Sequence, residues 1–318
     1  MGAQLSTTAE GLWLTAALSG VTRLPAALRV RPVGDTEAML ASHPGLRVLE
    51  EAGVCHGRTL DPDVQDWLVT LGRCDIDVSI RVTRPDERSE RLAGPPELFT
   101  PPADPLQEPL AAAAALREWR AHQAADRVAV LCRRDGKWVL AARVWRSGDE
   151  PLDEVTISPL DGDTTVFEAV NDLLGAEPAA EFEGINIEAE RLQFVLSSWQ
   201  ADPRSYDVIG ELLELGLTAR QARVVVAVSD TGAVRAAIGA TQYSIDGPEF
   251  AAAGAVVVDS LLGRVVISSS TADDQQRWAM LFPGTAARVA RAVSDALKEL
   301  PSGDAWEHHQ RIQTFHAH

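Results

Sequence analysis

From Asp75 to Val82 the chain alternates: Ile76, Val78, Ile80 and Val82 are apolar, and the residues between them are not. A period of two is the strand period, so this run predicts a β-strand with one buried face. Asp75 and Asp77 fall on its other, solvated side. Upstream the period changes. Asp61 is suited to cap a helix, Pro62 to occupy its first position, and Val64, Trp67, Leu68 and Leu71 to share one face. Residues 10–18, EGLWLTAAL, fit a strand or a short helix. Residues 35–54 have helical spacing, with an interruption at Pro44 and a stop at Gly53.

Residues 127–134 and 137–145 read as strands joined through Asp135-Gly136, a hairpin signal. DEVTISPL adds a strand, and Thr164 to Leu174 a helix. The second half begins with helical segments at 189–199, 205–215 and 218–229, the last capped by Thr218 just after Gly216 ends its predecessor. A strand at 233–242 follows, then a hairpin turning near Leu262-Gly263, a third piece at 276–284 and a closing helix from Thr285 to Leu300.

Both halves therefore read helices, strand, interruption, hairpin, strand, helix. ISPLDGDTTVFEAVNDLL in the first corresponds to LFPGTAARVARAVSDALKEL in the second. The pattern predicts an α+β fold, a duplicated unit whose two halves pack around a pseudo-twofold axis. Each half would bury the sheet face the other leaves open. The expected organisation is one domain with subdomains at 1–187 and 188–306 and a flexible tail at 307–318. Residues 84–109 carry many prolines and charges, which predicts a mobile loop, followed by an Ala-rich helix at 110–125.

Composition narrows the function. The 318 residues carry a net charge of −17, with Lys137 and Lys298 the only lysines, which argues against nucleic acid as a partner. Cys55, Cys74 and Cys132 lack metal-site spacing and read as buried thiols of a reducing compartment. No apolar run spans a bilayer and no signal peptide is evident, so the expectation is a cytoplasmic protein without membrane insertion.

The chain has no phosphate-binding glycine loop, no GxSxG and no HExxH. The acidic run at Asp61, Asp63 and Asp66 is explained by helix capping, and Asp161 with Asp163 by a turn. His308, His309, His316 and His318 lie in the expected tail without a partnering Cys, so no metal site is expected. Trp13, Trp67, Trp138 and Trp278 read as core. Trp145, Trp199 and Trp306 lie near element ends, where core packing competes with a role as exposed anchors. No catalytic residue and no cofactor are expected.

TTAEGLWLTAALSGV, DPDVQDWLVTLGRCDIDVSIRV, and the C-terminal series of D-S-x-x-G-R, LFPGT and L-P-x-G-x-x-W resemble the EspG family of ESX (type VII) secretion-associated proteins of mycobacteria. The resemblance runs from about Thr7 to Trp306. It implies a single α+β domain with a central, largely antiparallel sheet, helical bundles and two halves related by a quasi-twofold repeat. It also implies a cytoplasmic, non-enzymatic chaperone that binds the PPE subunit of a cognate PE–PPE heterodimer at its tip, keeps it soluble and routes it to one secretion system. The implied contact region is the central sheet and the second helical bundle: Leu215, Leu217, Arg220, Arg223 and Val226, with Arg235 and Tyr243 at the rim. The segment 84–109 is longer than the family pattern suggests, so client specificity does not carry over. A self-associating protein, monomer or homodimer when client-free, and an enzyme whose pocket is assembled only by folding remain the alternatives.

Overall fold

The structure, a computed structural model, describes residues 4–30, 40, 43–83, 127–146, 152–160, 162–252, 254–272 and 274–311. The Pro-rich segment 84–109 and the Ala-rich segment 110–125 lie outside these residues. The strands are β1 (Leu5–Thr8), β2 (Cys55–His56), β3 (Thr59–Leu60), β4 (Ile76–Thr83), β5 (Arg127–Arg134), β6 (Lys137–Arg146) and β7 (Leu152–Pro159). The second half adds β8 (Ile185–Glu188), β9 (Val234–Ser244), β10 (Gly247–Phe250), β11 (Ala255–Ser260), β12 (Gly263–Thr271) and β13 (Arg277–Pro283). The helices among the described residues are α1 (Ala9–Leu18), α2 (Gly45–Glu51), α3 (Pro62–Gly72), α4 (Val166–Leu174), α5 (Ala189–Ala201), α6 (Val208–Glu214), α7 (Ala219–Ser229) and α8 (Ala286–Lys298).

One 11-stranded sheet takes all strands but the β2–β3 ribbon, in the order β1-β7-β6-β5-β4-β9-β11-β12-β13-β8, with β10 beside β9. Every neighbouring pair is antiparallel. The order reads alike from both ends. A four-residue strand leading into a helix closes each edge, a meander lies inside it, and β4 and β9 meet at the centre through eight paired positions, from Ile76↔Gln242 to Thr83↔Arg235.

The central register decides the layers. Val78, Ile80 and Val82 align with Ala240, Ile238 and Ala236 on one face, which Ile76 shares, and α4 and α8 cover it with Val170, Val289 and Val293. The opposite face is covered in two separate patches. Helices α1 and α3 pack over β5, β6 and β7 around Leu12, Leu68, Val130 and Ile157. Helices α5, α6 and α7 pack over β8, β11, β12 and β13 around Leu212, Val225, Val258 and Leu281.

Local signals act as the sequence indicates. Asp61 accepts from the N–H groups of Asp63 and Val64, with Pro62 opening α3. Asp135 (φ 50°) and Gly136 (φ 78°) form the hairpin tip between β5 and β6. Thr218 and Gln221 form a capping box on α7, after Gly216 at φ 89°. The strand-or-helix ambiguity over 10–18 resolves as helix, α1, with the short β1 just before it. Strands β8 and β10 are too short for the alternation to reveal.

The C-terminal motifs turn out to build one buried joint. The Arg264 side chain, 5% exposed, donates to both carboxylate oxygens of Asp259 (2.6 and 2.9 Å). It also donates to the carbonyls of Leu174 and Gly175, which end α4. A Cβ on Gly284 would lie 2.2 Å from Arg264 Cγ, so only glycine fits there. Thr285 then caps α8 by accepting from Arg288 N–H. Trp306 is buried edge-on against Trp138 with ring centroids 6.3 Å apart, which settles it as core.

Breaking a buried pair that also satisfies two carbonyls strands the partner charge. Arg264→Ala is therefore expected to lower unfolding free energy by about 3–5 kcal/mol in urea titrations. A loss below about 1 kcal/mol would show that the joint is not structural.

Candidate partner-binding surface

Between the two helical patches the face of β4 and β9 opposite α4 and α8 has no helix of the described residues over it. Its side chains alternate along the strands: Asp77, Ser79, Arg81 and Thr83 on β4, opposite Thr241, Gly239, Ala237 and Arg235 on β9. Arg81 and Ala237 are exposed, and Ser79, Thr83, Arg235 and Gly239 half-buried. Because Ser79, Ala237 and Gly239 are small, the centre forms a saddle where a partner can approach the sheet backbone closely. The glycine within β9 marked such an approach, but it was read only as part of a strand.

One end of the saddle is closed by polar groups, and here the sequence expectation fails. Asp75 and Asp77 are each only 4% exposed rather than on a solvated face. Asp75 accepts from Arg311 N–H (2.8 Å) and Asp135 N–H (3.1 Å), and its own backbone bonds Arg133 and Tyr243. Asp77 accepts from the Tyr243 hydroxyl at 2.7 Å. The buried Arg133 donates to the carbonyls of Glu307 and His309, and a His309 ring nitrogen meets Tyr243 O at 2.8 Å. Gln242 Oε1 accepts from Ser302 N–H and hydroxyl. Residues 307–311, expected in a flexible tail, are thus strapped across the seam. They cover Asp75, while Tyr243 closes over Asp77, a tertiary effect that alternation alone does not foresee.

Burial pushes the Asp77 carboxyl from 3.8 up to about 6, against the lowering effect of bonds from Tyr243 and Thr241. Burial beside Asp77 raises the Tyr243 phenol in turn. Among the described residues no group of three or more His, Cys, Asp or Glu side chains is placed to hold a metal ion.

The residues singled out from sequence separate into three groups. Leu215, Leu217 and Val226 are half-buried against the core beneath α5, α6 and α7. Arg220 and Arg223 are exposed on α7, Arg220 pairing with Glu181 at 2.8 Å. Arg235 lies on the saddle face but folds back onto the carbonyls of Val228, Asp230 and Ala233. Tyr243 is not a rim residue, since its hydroxyl serves the buried seam. Sequence reasoning missed Ser79, Arg81, Ala237 and Gly239, as well as Leu213, a large apolar side chain 44% exposed on α6. The side chain of Trp145 lies outside the described residues.

The site is thus a continuous sheet with paired helical patches and a centre that no described helix covers. The chain belongs to the EspG family, whose sequence profile matches residues 8–95 and 106–295. It is 26% identical over 308 residues to the ESX-5 secretion-associated protein EspG5 of Mycobacterium marinum, covering 95% of each chain. It is likewise 26% identical over 325 residues to the ESX-2 secretion-associated protein EspG2 of Mycobacterium tuberculosis, covering 97% of this chain and 99% of that one. Among solved structures, the fold matches the Mycobacterium tuberculosis type VII secretion system chaperone EspG5, determined in complex with a PE25–PPE41 dimer. The TM-score is 0.68 at 21% identity, over 95% of this chain and 98% of that one.

The Asp77 shift makes a stability prediction. A carboxyl raised in the folded state binds more protons than its unfolded counterpart between about pH 4 and 6, so its contribution is present below that window and is lost as pH rises through it. The loss is up to about 3 kcal/mol. Asp77→Asn should gain on the unsubstituted protein as pH rises from 4 to above 6 in urea unfolding, and a pH-independent difference would refute the buried carboxyl.

Proposed function

We propose that this protein is a non-enzymatic cytoplasmic chaperone of a type VII (ESX) secretion system. It binds the PPE subunit at the tip of a cognate PE–PPE heterodimer, keeps the pair soluble and delivers it for export. The observation that carries the reading is the face of β4 and β9 that no described helix covers, in a chain that matches the EspG family along most of its length. The fold-matched EspG5 has been captured with such a dimer.

The physical logic is that of a reversible cap. An elongated heterodimer with an apolar tip is prone to aggregate, and covering the tip removes the hazard. An interface on the order of 1,600–2,000 Å² serves this purpose while still allowing release. The small side chains Ser79, Ala237 and Gly239 admit a tip close to the sheet, and α7 supplies Arg223 and Arg220 at one side. Leu215 and Leu217 just before that helix and Val226 on it pack onto the core beneath, with Arg235 holding its end. Tyr243 keeps the seam closed.

The matching order of strands and helices in the two halves also supports an origin by duplication, with α4 and α8 as counterparts on the shared face. The linkage of α4 to α8 through Asn171 and the Ala286 carbonyl fits that reading.

Co-expression with the PE–PPE pairs of its own genome, followed by sizing with light scattering, should yield a 1:1:1 complex with one pair and not others. Ala237→Glu puts a charge at the centre of the saddle and should weaken that complex roughly a hundredfold, about 2.7 kcal/mol. Undiminished binding by both Ala237→Glu and Arg223→Glu would move the contact elsewhere. If every soluble pair were ignored, the chaperone reading would fall.

A further inference from the structure

Beyond the strapped end of the seam lies a groove of about 540 Å³, floored by the start of β4, the β5–β6 turn and the chain segment that follows α1. Four arginines line it: Arg23, Arg73, Arg134 and Arg311. That concentration is out of keeping with a chain whose net charge is −17. The carboxylates lining the groove are Asp75 and Asp135. Both Asp75 oxygens accept backbone N–H groups, and Asp135 lies 3.4 Å from Arg134 Nε.

Arg23 and Arg73 are exposed and make no ion pair or hydrogen bond with another described side chain. Arg311 is anchored through its backbone to Asp75, and its guanidinium lies 5.8 Å from the centre of the Tyr243 ring. The wall is stiff where it matters. A Cβ on Gly72 would fall 2.3 Å from Val21 Cγ1 and 2.9 Å from the Arg23 carbonyl, so the segment bearing Arg23 lies directly on the end of α3 that bears Arg73.

The geometry points to this groove as a binding site for an acidic peptide segment of a protein partner, with an apolar side chain beside its carboxylates. Guanidinium groups clustered within about a Debye length, roughly 8–10 Å, act on an anion jointly, and arginine pairs with carboxylates in a bidentate way. The volume exceeds that of a lone inorganic anion. Ile245, which also lines the groove, is 88% exposed and offers the apolar contact. The site does not rest on the client-binding reading. It starts at Asp75, about 20 Å along β4 from Arg81 and Ala237 at about 3.3 Å per residue.

The test is fluorescence anisotropy of a fluorescein-labelled Glu-Glu-Leu-Glu-Glu-Leu-Glu-Glu peptide against the full chain at about 50 mM salt. The double variant Arg23→Glu/Arg73→Glu should bind at least tenfold more weakly with an unchanged melting temperature. Arg277→Glu, an exposed charge reversal on β13, should bind as the unsubstituted protein does. No binding by the unsubstituted protein, or an equal loss in Arg277→Glu, overturns the site. Displacement of the peptide by inorganic pyrophosphate at comparable concentration overturns the peptide in favour of a small anion.

Discussion

The rest of the molecule depends on the ladder between β4 and β9. It is the only place among the described strands where the two halves of the sheet are hydrogen-bonded to each other. Its register aligns the apolar rows of both strands on the face that α4 and α8 cover. A slip of one residue would turn Ile76, Val78 and Ile80 towards the saddle and drive Asp77 and Arg81 into the core. The open centre and the buried core are thus two consequences of one pairing.

The ladder is secured at one end by buried polar groups and not by apolar packing alone. Asp75, Asp77, Arg133, Gln242 and Tyr243 all have partners, so none is left as an unsatisfied group in a low-dielectric site. Arg133 and Arg264 perform matching tasks at distant places. Each guanidinium is buried and takes up carbonyls that a chain end or helix end would otherwise leave bare. Planar donors with several N–H groups do this where a lysine would not.

Much of the fold was legible because its signals are local. Alternation disclosed β4, Asp135-Gly136 disclosed the β5–β6 hairpin, and Thr218 with Gly216 disclosed the boundary between α6 and α7. Strands β1, β8 and β10 were not legible, since four residues give alternation too little length. The burial of Asp75 and Asp77 was illegible for another reason. What meets them comes from distant chain, Arg311 at Asp75 and Tyr243 at Asp77, and nothing near Ile76 announces it. The candidate surface shows the same division. Arg220 and Arg223 were reached through the family resemblance, on a helix that the Thr218 cap made legible. The saddle is defined by what is missing above Ala237 and Gly239, which only the arrangement of whole layers reveals.

The sheet's two borders carry a last implication. An open antiparallel sheet presents unpaired backbone groups along its outer strands, and these invite further strands from other chains. Here both borders are strands of only four residues, β1 and β8, each turning at once into a helix. A large sheet therefore ends in two stubs too short to template a growing stack. A sheet whose central face no described helix covers is thus bounded by margins that leave a further strand little to pair with.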